Sequence, residues 1–559
     1  MIKTFLIRLL QRSPLARFAL APALFLAFFG LTALVVNLAN RKPVLDAIIP
    51  AIGESGEVVV IQGRHFGEDK DSGWIEIAGN RLSGNSYISW SDTNVMAILP
   101  VTAEDGLVYV YRGSKRSNPL IFANRKNIPV TARVDTDAGV PEIAGFDAAR
   151  SETGRKLVIR GRNFGISRND SEVLFAWKTD EPVPLAARDR AEKASVACSD
   201  QNFDYEFWSD QEIRVRVPDG ATTGPVFVRT ARGLSNDMPI EIAGQPGTKT
   251  YSAGRTFVVS QQVDITGMHT SEGGMIFLRV PLPITSPSQR DVEVTASEPK
   301  PYIPNHRGTV LHQLEGLRTG KAEKVAHTFV CTSYGITTQV NPAQVKPYSD
   351  RESPLFLLYT QPDPLVPSDS PDVRIAAAEI IGKERNPWRA AKLAYDWLAK
   401  EFRYEERVPQ DRKPVESLKR KEGSAYDMAI LFCALARASG IPAVPLAGIV
   451  VDSNRDSRVH WWAEFYVEGM GWIPVDPALG ADKPFALREN NAREWYFGNL
   501  DPYHVAFSRG WTEQKPMTPK SKVVFRPRSW AFQSLWEESA GNVRGYTSFW
   551  GEPRVTGVY

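Results

Sequence analysis

Short runs in which apolar and polar residues alternate fill most of the chain between residues 43 and 348, and each run ends near Gly, Asn, Asp or Pro. Val108 and Val110, or Ile213, Val215 and Val217, place one strand face inward, so this region predicts β-sandwiches. The pattern is duplicated. Val58-Val59-Val60-Ile61-Gln62-Gly63-Arg64-His65-Phe66-Gly67 aligns with Leu157-Val158-Ile159-Arg160-Gly161-Arg162-Asn163-Phe164-Gly165, each run closing on Gly-Arg-x-Phe-Gly. Trp90-Ser91-Asp92 precedes Pro100 as Trp208-Ser209-Asp210 precedes Pro218, and Ser117-Asn118 matches Ser235-Asn236. The offset grows from 98 residues at Gly63/Gly161 to 118 at Trp90/Trp208, so the second copy carries an insert between Phe175 and Phe207, which holds Cys198. Two repeats are expected, at 43–124 and 140–245, with the motif glycines serving turns of positive φ. A third sandwich with proline-rich edges is expected over 248–348.

After Pro371 the period changes. Asn386-Pro387 offers a capping side chain followed by proline at the first helical position, and Trp388, Ala391, Ala394, Tyr395, Leu398 and Phe402 recur at helical spacing. A second helix is expected from Ala425 to Ser439, ended by Gly440-Ile441-Pro442. Strands follow at 444–451, 459–467 and 472–475. The segment 372–510 therefore predicts an α+β domain, and the aromatic tail 511–559 a strand-rich cap packed on its core.

The N-terminus breaks the pattern again. Phe18 to Val36 is free of charge, about 28 Å of helix at 1.5 Å per residue. Lys3, Arg8, Arg12 and Arg17 precede it, so residues 1–17 are expected in the cytoplasm, 18–38 as a single transmembrane anchor, and the remainder outside, in the periplasm of a bacterial inner-membrane protein or extracellular. The exit Val36-Asn37-Leu38-Ala39-Asn40 puts a polar residue where a cleavage site needs a small one, which favours an uncleaved anchor.

Composition narrows the chemistry. The chain has 559 residues, 43% hydrophobic and 23% charged, with a net charge of +3, which excludes disorder and gives no basic field for nucleic acid. Its three cysteines, Cys198, Cys331 and Cys433, are too few and too scattered for a disulfide framework or zinc ribbon, and the seven histidines show no metal-binding spacing. No cofactor or metal is expected.

Both regions resemble known families. The repeats, with their Gly-x-x-Phe-Gly and Trp-x-Asp turns, resemble IPT/TIG immunoglobulin-like domains, which implies spacer or contact modules. Gly423-Ser424-Ala425-Tyr426-Asp427, Val459-His460-Trp461-Trp462-Ala463-Glu464 and Gly471-Trp472-Ile473-Pro474-Val475-Asp476-Pro477 occur in the order of the transglutaminase-like, papain-type fold. That resemblance implies a nucleophilic cysteine at a helix N-terminus, a histidine base and an aspartate that orients it. Carried over by position, His460 is the base, Asp476 the orienter, and the nucleophile's place is taken by Ala425.

A methyl group cannot attack a carbonyl, and losing the nucleophile of such a triad costs on the order of 10⁶ in turnover. Ser424 is out of register for the task, and Cys433 lies eight residues on within an apolar run, as a core thiol would. His460 and Asp476 then read as a vestigial dyad, with Ser424, Trp461, Trp462 and Trp472 as cleft wall or core. The basic run from Arg403 to Lys421 reads as a solvated face. The expected protein is multidomain, with one N-terminal transmembrane helix, three β-sandwiches and an α+β transglutaminase-like domain without its nucleophile. It would bind or scaffold a protein or peptide partner at the cell envelope. The rival expectation is an active amidase, peptidase or transglutaminase with a non-standard nucleophile.

Overall fold

The computed structural model describes residues 41–124 and 139–559 apart from 55, 71–72, 83–85, 101–102, 179–192, 245, 272–273, 307, 410, 453, 482–490, 513, 515 and 518–520, together with residues 29, 30 and 32. The expected anchor at 18–38 thus falls almost wholly outside the described residues. Among those described, no helix is long and apolar enough to cross a membrane. The chain divides into two compact units, residues 1–129 and 130–559.

In the first unit, strands Val44–Ile49, Val58–Arg64, Asn94–Ile98 and Tyr87–Trp90 form one sheet. Gly106–Arg112 is central to the facing sheet, between Leu120–Asn124 and Gly73–Ile77. Alternation packs Val59, Ile61, Ile75, Val95, Val108, Val110 and Phe122 between them.

The second repeat reproduces both strand orders, with Glu142–Phe146, Lys156–Arg162, Glu212–Arg216 and Tyr205–Trp208 in one sheet. In both copies the first strand is bulged, between Leu45 and Ala47 and between Ile143 and Gly145. The two sequence motifs turn out to be partners. Asp92 Oδ1 accepts the Gly67 amide at 3.0 Å and Trp90 Nε1 donates to the Gly67 carbonyl at 3.2 Å. In the second copy Asp210 Oδ1 accepts the Gly165 amide at 3.0 Å, and Trp208 Nε1 donates to the Phe164 carbonyl at 3.2 Å. The glycines divide the work differently from the expectation. Gly67 and Gly165 have positive φ, whereas a Cβ on Gly63 or Gly161 would strike the carbonyl of Val44 or Glu142 on the neighbouring strand.

In the third sandwich two long strands, Gly247–Thr270 and Glu323–Val340, pair antiparallel over most of their length. The tail expected as a strand-rich cap on the α+β core places Phe532 in that core and also supplies strands to this sandwich. Trp536–Ala540 pairs with Met275–Pro281, and Val543–Trp550 and Arg554–Val558 pair with Gly247–Thr270. Strands far apart in sequence satisfy each other's backbone groups, a pairing with no local sequence signature.

The α+β domain packs helices Pro371–Ile380, Pro387–Glu401 and Ala425–Ala438 against a four-stranded antiparallel sheet. Its strand order is Gly471–Val475, Ser457–Val467, Ala443–Val451, His504–Arg509. Asn386 caps its helix as expected, its side chain accepting the Arg389 amide at 3.1 Å. The Ala425–Ala438 helix is buried from Ala425 to Arg437, which explains its nearly unbroken apolar sequence.

Candidate active site

Helix entry positions the first block. Ser424 is the N-cap residue, and both its backbone amide and its Oγ donate to Asp427 Oδ2, at 3.0 and 2.9 Å. Ala425 is the first helical residue and is buried, so the position where the resemblance implies a thiol holds a methyl group at a helix N-terminus. Asp427 is itself fully buried and is met from the C-terminal segment by Arg528, whose Nη2 donates to Oδ1 at 3.0 Å. The Arg528 guanidinium also lies 4.2 Å from the Tyr426 ring centre, and Tyr426 meets Trp461 edge-on at 5.8 Å.

The second and third blocks meet at one carboxylate oxygen. His460, on the Ser457–Val467 strand, places Nε2 2.6 Å from Asp476 Oδ2. Asp476 ends the following strand and caps the short Pro477–Gly480 helix, so its Oδ1 is taken by the Leu479 amide at 2.9 Å. Oδ2 has a second partner that the sequence did not reveal. His504, on the outer strand, brings Nε2 to 3.2 Å from Asp476 Oδ2, while its Nδ1 lies 3.1 Å from Asp501 Oδ1. Asp501 also accepts the Tyr496 hydroxyl at 2.7 Å and the Tyr503 amide at 2.8 Å. The one sequence signal for this outer set is the local Asp501-Pro-Tyr-His504 spacing.

All five side chains are buried. Burial alone would raise Asp476, but the His460 and His504 rings more than reverse this and hold its carboxyl well below the usual range. Asp501 is likewise held down against burial, by His504 and the Tyr496 hydroxyl. Burial disfavours the His504 cation, yet Asp501 and Asp476 on either side push it up to about 10.

The expected cleft-wall residues separate. Trp461 packs beside Tyr426 at the helix entry. Trp462 is buried among residues that include Leu446, Ala506 and Tyr251, and its ring meets His504 edge-on at 5.1 Å. Trp472 turns to the second repeat, where its Nε1 donates to Asn202 Oδ1 at 3.0 Å. Cys433 is fully buried in the helix core, where desolvation pushes its thiol far up.

Comparison with known proteins agrees with this architecture. Residues 374–477 match the Transglutaminase-like superfamily and residues 43–122 the IPT/TIG domain. The chain therefore carries a transglutaminase-like domain behind an IPT/TIG domain, and the second repeat shares the strand orders of the first. An uncharacterized protein of Haemophilus influenzae is 29% identical over 162 residues, 23% of this chain and 44% of that protein; this chain thus spans less than half of its relative. A Cytophaga hutchinsonii structure described as a candidate cysteine protease aligns over 55% of this chain and 93% of its own, at 15% identity and a TM-score of 0.37. The periplasmic domain of TgpA from Pseudomonas aeruginosa aligns over 42% and 90%, at 13% identity and a TM-score of 0.24.

Proposed function

We propose that this protein is a membrane-anchored, extracytoplasmic binding or scaffolding protein whose transglutaminase-like domain has lost acyl-transfer chemistry and engages a protein or peptide partner at the cell envelope. The observation that carries the reading is Ala425 at the first position of a capped helix, in the same domain as a hydrogen-bonded His460 and Asp476. An acyl-transfer site needs a nucleophile there, and neither neighbour supplies one. The Ser424 hydroxyl donates to Asp427, a carboxylate already engaged by Arg528, so it lacks a free base. Cys433 is buried with its thiol held protonated.

The anchor and the outward orientation rest on the apolar run at 18–38 and the basic residues before it. The test is amidase and acyl-transfer turnover by the full chain in membranes, with His460→Ala as its companion. No turnover above the membrane background is expected. Turnover that disappears in His460→Ala would overturn the reading and favour an enzyme with another nucleophile.

A further inference from the structure

Three ligand-type atoms from three separate segments converge in the interior of the last domain. His460 Nε2, His504 Nε2 and Asp476 Oδ2 all lie within 4.8 Å of one another, and all three residues are buried. A dyad made to activate a thiol needs one imidazole on its aspartate, and nothing in that chemistry calls for His504. We propose that these three residues form a binding site for one divalent cation of the zinc class, a use of the site that does not depend on the binding role proposed above.

The donor set is the first argument. Two imidazole nitrogens and one carboxylate oxygen suit Zn²⁺ or Co²⁺, which would displace the His504 proton on binding, and they are too nitrogen-rich for Ca²⁺ or Mg²⁺. Spacing is the second. With metal–ligand bonds of about 2.0–2.1 Å at tetrahedral angles, neighbouring ligand atoms stand about 3.3 Å apart. His504 Nε2 is already 3.2 Å from Asp476 Oδ2, the 2.6 Å contact of His460 would open by about 0.7 Å, and the two imidazole nitrogens, within 4.8 Å, would settle to the same spacing.

Support around the ligands is the third. Metal-bound histidines hold their other ring nitrogen on a carboxylate or carbonyl, which fixes the ring. Asp501 does this for His504 Nδ1 and is itself held by the Tyr496 hydroxyl. The Leu479 amide occupies Asp476 Oδ1 and leaves Oδ2 turned towards both imidazoles.

The full chain, purified in detergent and stripped with a chelator, is loaded with Zn²⁺ for elemental analysis and with Co²⁺ for visible absorption. One equivalent of Zn²⁺ and the intense bands of low-symmetry Co²⁺ are expected, both lost in His504→Ala. Asp501→Asn, which touches no cation, is expected to weaken binding by about 10–100-fold. His312→Ala, at a buried histidine in the third sandwich, should leave stoichiometry unchanged. Failure of the wild-type chain to retain Zn²⁺ and to show the Co²⁺ bands would overturn the site whatever the variants do. Full occupancy in folded His504→Ala would also overturn it. Neither result bears on turnover, so the loss of acyl-transfer chemistry stands or falls separately.

Discussion

His460 Nε2 lies 2.6 Å from Asp476 Oδ2, and both side chains are buried. A thiol enzyme uses such a contact to orient its base, and here it stands in a domain whose buried helix begins with Ala425. The contact is worth keeping for structure alone, because removing one partner of a buried hydrogen bond strands the other at a cost of about 1–3 kcal/mol.

Restoring the missing atom is the first prediction. Ala425→Cys places a thiol at a helix N-terminus, where the backbone amides favour a thiolate. Alkylation by iodoacetamide at pH 6, followed by mass spectrometry, should modify residue 425 faster than Cys433. His460→Ala in that background should slow it. A folded Ala425→Cys chain that resists alkylation would mean that the helix entry and the histidine no longer form one site.

The helix entry depends on the C-terminal segment. Arg528 is buried and reaches both oxygens of the fully buried Asp427 as well as the Arg412 carbonyl. Arg528→Met leaves that carboxylate without its charged partner and should cost about 3–5 kcal/mol in chemical denaturation. Arg528→Lys should recover only part, since an ammonium cannot reproduce the planar fork.

A second histidine pair sets a pH dependence in the third sandwich. His312 and His327 face each other at 2.7 Å between Nε2 atoms, both buried, and each Nδ1 lacks a partner among the described residues. Desolvation lowers His312 from 6.5 to about 4 and, with His312 beside it, lowers His327 to about 3. The folded values lie below the unfolded ones, so the unfolded chain binds more protons between about pH 3 and 6.5. Stability is therefore complete above pH 6.5 and falls as the pH drops. The denaturation midpoint should decrease from pH 7 to pH 4.5, and His312→Leu with His327→Phe should reduce that slope. At pH 7 the double change should be close to neutral, whereas either single change strands a buried nitrogen at a cost of about 1–3 kcal/mol.

What the sequence revealed follows from how far apart the interacting residues lie. The duplicated turns were legible because Gly-Arg-x-Phe-Gly and Trp-Ser-Asp are local motifs, although only the structure showed that Asp92 holds the Gly67 amide. Ala425, His460 and Asp476 were found through the order of three short blocks. His504 was not, because it reaches Asp476 from 28 residues further on, and the local Asp501-Pro-Tyr-His504 spacing does not point to that partner. Arg528, 101 residues from Asp427, was missed for the same reason. The tail was legible as strands but not its pairing, because strand alternation does not name partners, here Gly247–Thr270 and Met275–Pro281. Trp472 gave an aromatic signal suited to a cleft wall, and its hydrogen bond to Asn202 places it against the second repeat.

The proposed loss of the nucleophile is tested most directly by treating the full chain with an electrophilic acyl probe and mapping adducts by mass spectrometry. The account predicts no adduct at Ser424 or Cys433 in the folded protein. A stoichiometric acyl adduct at either residue, lost on His460→Ala, would contradict it.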